Sequence, residues 1–132
     1  MASNLNSWTA LASTIRNLSQ LLPSQTDRSQ EADLYYRRAC LAAAEERFDV
    51  ALVFCAKAVN VEPRHLSARL LLARIQDKGL GNFEAAVAGY KKVIALAGYD
   101  GNNALCVAAR EALAALIQKT EVGTLNSEEV EA

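Results

Sequence analysis

The sequence predicts an all-α fold of stacked antiparallel helix pairs, and three observations predict it. Similar residues recur at a fixed distance. Ala39 returns as Ala73 after 34 residues, and Phe48, Ala51, Cys55 and Ala58 return as Phe83, Ala86, Tyr90 and Val93, each after 35. A period in this range is the mark of a repeat architecture in which each unit buries its apolar face on its neighbours. Hydrophobic residues make up 52% of the chain, but many are Ala and aromatics are 6%. That balance suits close helix-on-helix packing better than a thick sheet core. Two Pro and six Gly leave long stretches in which apolar residues fall at helical spacing.

The chain divides into residues 1–30, an N-terminal amphipathic helix and linker; 31–119, the repeat domain; and 120–132, an acidic tail expected to be disordered. Leu5, Trp8, Leu11, Ala12, Ile15, Leu18 and Leu22 line one side of a helix of about 18 residues, with Asn6, Ser13, Arg16, Asn17 and Gln20 mostly opposite. Ser3 or Asn4 can cap it and Pro23 stops it. Its polar face is nearly uncharged, so its apolar stripe is expected to pack on the first repeat as an N-terminal cap. The segment is Ser-rich and free of acid before Asp27, as transit peptides are, but its single Arg argues against that use. The polar stretch from Pro23 to Gln30 is expected as a linker, with Asp27 or Ser29 capping the next helix.

The first repeat spans 32–65. Its first helix, Glu31 to Glu45, has the packing stripe Leu34, Tyr35, Arg38, Ala39 and Ala42. Glu46-Arg47 is the turn, and the partner helix runs from Phe48 to Val61, where Pro63 ends the unit. His65 is expected as a solvated connector. The second repeat spans 66–100, with helices Leu66 to Lys78 and Phe83 to Ala97. Its extra residue is assigned to the turn Gly79-Leu80-Gly81-Asn82, with Gly79 as a left-handed stop. A third, partial copy places Ala108 35 residues after Ala73. Its one helix, 103–119, capped by Asn102 or Asn103, is expected to cover the open end of the array.

This pattern resembles the tetratricopeptide repeat family. The matching run is Tyr35, Arg38-Ala39, Ala42, Ala51, Cys55, Ala58 and Pro63 in the first copy, and Arg69, Leu72-Ala73, Gln76, Ala86, Tyr90 and Val93 in the second. Arg38, Arg69 and Gln76 depart from the family's apolar residues, and the second copy has Gly98 where the closing Pro belongs. The resemblance covers about two thirds of the chain and implies a right-handed superhelix of helix pairs. Small residues at Ala39, Ala51, Ala73 and Ala86 are expected to sit buried at the helix crossings.

No constellation for chemistry stands out. There is no nucleophile–base motif, P-loop or paired-cysteine signature, so the chain is read as non-enzymatic, with no cofactor and no metal. The lone Gly79-Leu80-Gly81 lacks a third Gly and a preceding strand, so it does not read as a phosphate site. Cys40, Cys55 and Cys106, odd in number and widely spaced, fit reduced thiols and a cytoplasmic location. Residues 31–119 carry twelve basic and ten acidic side chains, and 120–132 carry four Glu and no base. A body so near neutrality argues against a nucleic-acid partner, and no apolar run is long enough for a membrane span.

The resemblance implies an adaptor, scaffold or co-chaperone-like module that holds a peptide or helix of a partner protein in a concave face lined by the first helix of each pair. The candidate contacts are Tyr36, Arg37, Cys40, Leu70, Leu71, Arg74, Asp77 and Lys78. Tyr36 and Leu71 would anchor apolar groups, and Arg37, Arg74 and Lys78 would orient acidic ones. The family's clamp for the C-terminal carboxylate of heat-shock chaperones uses Lys and Asn at places that here hold Tyr36, Cys40 and Leu71, so that activity is not expected. The alternative is self-assembly into homo-oligomers through the repeats or the N-terminal helix, because a short array leaves apolar ends exposed.

Overall fold

A computed structural model describes residues 24–131, with side chains described up to residue 123. The expected N-terminal helix lies outside the described residues. Those described form five α-helices and no strand: α1 (Gln25–Ala44), α2 (Phe48–Val61), α3 (Leu66–Arg74), α4 (Phe83–Leu96) and α5 (Ala104–Glu131). Each packs on the next along the chain, and helices two apart also touch, α1 on α3 and α3 on α5.

α1 begins earlier than the sequence suggests. Ser24 caps it: its hydroxyl accepts from the Asp27 amide at 3.1 Å, and the Asp27 carboxylate accepts from the Ser24 amide at 3.3 Å. This reciprocal pair satisfies two amides that the first turn would leave unpaired. The polar stretch expected as a linker is therefore largely helix, and Asp27 is the third residue of the helix, the reciprocal partner in the capping box and not the cap. The packing stripe is also rotated. Ala32, Ala39 and Ala42 are buried, while Leu34 and Arg38 are exposed. Small side chains at seven- and three-residue steps let α2 approach α1 closely, which leaves the longer side chains outside.

Glu45 to Arg47 turn the chain back, and Ala51, Cys55 and Ala58 are the buried residues of α2. Ala51 and Cys55 join Ala39, Ala42 and Ile75 in the first core cluster. The second cluster is larger, built from Leu70 and Ala73 of α3, Ala86, Tyr90, Val93 and Ile94 of α4, and Cys106, Ala109 and Leu116 of α5. Ala39, Ala51, Ala73 and Ala86 are all completely buried. At the α3–α4 crossing, a Cβ built on Gly89 would lie 2.8 Å from the Ala73 Cβ, so this contact needs Gly opposite Ala.

The extra residue of the second repeat is not in the turn. α3 continues into a π-helical turn, Ile75–Gly79, before Leu80 to Asn82 lead into α4. A π-helical turn accommodates an added residue without ending the helix. Both repeats thus keep a three-residue connection, 45–47 and 80–82. Gly79 is not the left-handed stop; Gly81 has φ +66° and takes that place. Gly79 serves a different need. The Phe48 ring lies over it, and a Cβ there would sit 2.7 Å from ring carbons.

Asn103 caps α5, its side-chain oxygen accepting from the Leu105 and Cys106 amides at 3.0 and 3.1 Å. The helix was expected to stop near Lys119 but runs on to Glu131. The sequence after Lys119 has no Pro, and a single Gly123 costs about 1 kcal/mol without breaking a helix. Among the described residues no helix is long and apolar enough to cross a membrane.

Candidate functional site

α1 touches α3 and α3 touches α5, and the residues expected to contact a partner on α1 and α3 fall mostly in two groups. On α1, the Tyr36 ring packs against the His65 ring, with centroids 5.3 Å apart. Burial, then a hydrogen bond with the Cys40 side chain, raises the Tyr36 pKa above its ordinary value. Arg37 is exposed and lines a shallow recess of about 300 Å³ with Gln30, Asp33 and Leu34. Arg74, exposed on α3, acts electrostatically on both Tyr36 and Tyr90.

His65 is not a solvated connector. Only 10% of its side chain is exposed. Its Nδ1 accepts from the Ala68 amide at 3.0 Å and caps α3. That leaves the proton on Nε2, which donates to the Asp33 carboxylate of α1 at 2.7 Å. One ring thus ties the start of the second repeat to the first.

The second group surrounds an open groove of about 510 Å³, lined by Asp77, Lys78, Gly81, Phe83, Ala112, Ala115, Leu116 and Lys119. The π-helical turn places Asp77 so that its carboxylate accepts from the Tyr90 hydroxyl at 3.0 Å. Burial first, and then this bond, push the Tyr90 pKa well up. Phe83 forms an apolar wall, 38% exposed. The Lys119 ammonium lies 5.7 Å from the centre of that ring. The groove therefore offers an aromatic surface, small side chains on its floor and two lysines, with its one carboxylate already engaged.

Of the expected contacts, Asp77 and Lys78 meet in this groove, and Tyr36 and Cys40 meet on α1. Leu70 does not belong with them. It is 3% exposed and sits in the second core cluster. Leu71 is half-buried against the first cluster. The three apolar positions Leu70-Leu71-Leu72 span most of a helical turn, so one must face the core, and the pattern alone did not say which. The sequence reading missed Phe83, Ala112, Ala115 and Lys119. The period held a signal for three of them, since Ala112, Ala115 and Lys119 lie on the helix expected both to begin a third copy and to cover the end of the array, where no partner contact was expected. Among the described residues no group of His, Cys, Asp and Glu could hold a metal ion. Compared with known proteins, the chain matches no family model and no curated sequence.

Proposed function

We propose that this chain is a non-enzymatic, cytoplasmic protein-interaction module built as a tetratricopeptide-like superhelix, and that it holds a short acidic peptide or helix of a partner against its first helices. One observation carries the reading: the open groove flanked by Lys78 and Lys119 with Phe83 as its wall. Contacts between helices two apart support the stacked-pair arrangement. The three unpaired thiols support a reducing compartment. An aromatic wall gives apolar anchorage, and rim lysines give orientation and charge selection more than raw affinity.

Selection from a displayed random-peptide library tests this directly. Enriched peptides are expected to carry Asp or Glu beside a large apolar residue. Their affinity for the double variant Lys78→Glu/Lys119→Glu should fall by about tenfold or more, a loss of about 1.4 kcal/mol, with the circular dichroism spectrum unchanged. Failure to enrich any sequence, or binding indifferent to the charge reversal, would overturn the reading.

A further inference from the structure

Three large apolar side chains of the first helix pair are left uncovered by any described element. Leu34 and Leu41 of α1 are 48% and 66% exposed, and Val53 of α2 is 52% exposed. Positions 34, 38 and 41 share one side of α1. It is the side away from Tyr36 and Cys40, which look toward His65 and Arg74. Next to this stripe the Tyr35 ring stacks on the Phe54 ring at 6.4 Å between centroids. Arg38 and Lys57 lie across the same aromatic pair, 5.7 to 6.0 Å from the ring centres. The elements packed on α1 are α2 and α3, and neither covers Leu34 or Leu41.

We infer that residues 5–22 of this chain dock on this face as a helix antiparallel to α1. Three observations select that occupant. Residues 5–22 have the apolar stripe Leu5, Trp8, Leu11, Ile15, Leu18 and Leu22 and a single charge, Arg16. Pro23 ends the segment immediately before Ser24, the cap of α1, so the segment is tethered at the start of α1, and connections this short commonly join antiparallel neighbours. The lengths also match: a helix over residues 5–22 would span about 27 Å, and the 20 residues of α1 span about 30 Å. The segment is nearly uncharged, and the two cations beside the Tyr35–Phe54 pair, Arg38 and Lys57, already lie on those rings. The inference is independent of the peptide-groove reading, which concerns another side of the first helices.

Trp8 is the sole tryptophan and reports on the docking in the full chain. Its emission should be blue-shifted and protected from acrylamide at every protein concentration. The variant Leu34→Glu/Leu41→Glu replaces only exposed side chains. It should move Trp8 emission to the red, open it to the quencher, and lower Tm by about 5 °C or more while the helices of the body remain by circular dichroism. A blue shift that grows with protein concentration would make a second copy the occupant. A blue shift untouched by the double variant would place the segment elsewhere, and red emission throughout would leave the face uncovered. Any of these three results overturns the inference.

Discussion

Cys55 and Tyr90 hold the same place in the two helix pairs, 35 residues apart, and both are completely buried. A thiol can be buried with no partner at little cost, because it behaves as a small hydrophobe. A phenol cannot: its hydroxyl needs a hydrogen bond once water is gone. The second pair meets that need with Asp77, and it reaches Tyr90 from the π-helical turn that the first pair lacks. The larger core residue and the inserted residue thus occur together. The junctions differ accordingly. Phe48 closes over Gly79 at the first, whereas Phe83 at the second stands beside an open groove. Identical topology has produced one sealed junction and one open one, and only the open one offers room for a partner.

The largest expected effect compares the two core positions. Tyr90→Ala should cost ~3–5 kcal/mol, as large-to-small aromatic changes do in closed cores. Cys55→Ala should cost about 1 kcal/mol. Urea unfolding of both variants measures the difference. Equal losses would mean that the pairs share their load evenly and that the Tyr90–Asp77 contact adds nothing.

The sealed junction is the next target. Gly79→Ala puts a methyl group within 2.7 Å of the Phe48 ring, at its root and not at a movable tip. Overpacking of this kind costs ~1–3 kcal/mol. Gly81→Ala meets no neighbour, so its cost comes from its left-handed backbone alone. A denaturant series on both separates crowding from backbone strain. If Gly79→Ala is neutral, Phe48 can rotate away and the junction is less tightly sealed than its geometry indicates.

How much of this was legible beforehand follows from what a period can encode. The repeat located the crossings at Ala39, Ala51, Ala73 and Ala86, because small residues recur where backbones touch. It could not locate the inserted residue, since a π-helical turn and a longer loop have the same length in sequence. Nor could it rank Leu70 against Leu71, which differ by 100° around one helix. His65 looked unremarkable because its two partners, Ala68 and Asp33, lie on different helices. The groove was half visible. Asp77 and Lys78 were marked from one wall, while Lys119 required knowing that α5 packs beside α3, and Phe83 that the start of α4 is left partly exposed.

Alkaline pH gives a graded test of the two buried acids. Burial pushes the Cys55 thiol up to about 12, from an ordinary 9.0 in the unfolded chain. Between those values unfolding releases a proton. The stability contributed by Cys55 is therefore whole below pH 9 and is lost as pH rises toward 12. Tyr90 is shifted in the same direction, so its contribution begins to fall only above its ordinary value near 10. Stability measured by urea should decline from about pH 9 in the wild type, and Cys55→Ala should delay the onset. Identical slopes in both proteins would mean that the thiol is less buried in solution. Tyr90→Phe should leave the onset in place and flatten the later decline.

The smallest effect has the opposite sign. The turns of the two repeats superpose in sequence, and Glu46 stands where Gly81 stands 35 residues later. Both are left-handed, at φ +58° and +66°. Glycine adopts that conformation freely, whereas a side chain at φ > 0 costs about 1–2 kcal/mol. The Glu46 carboxylate is exposed, and its amide donates to the Ala43 carbonyl through the backbone, a bond any residue can make. Glu46→Gly therefore removes strain and no native contact. Part of the gain is offset by the greater entropy of glycine in the unfolded chain. The net expectation is a stabilisation of ~0.5–1 kcal/mol, read as a higher urea midpoint with an unchanged slope. The mirror substitution, Gly81→Glu, should destabilise by a comparable amount. If Glu46→Gly destabilises instead, the first turn draws support from that side chain, and the two turns are not equivalent despite their shared backbone.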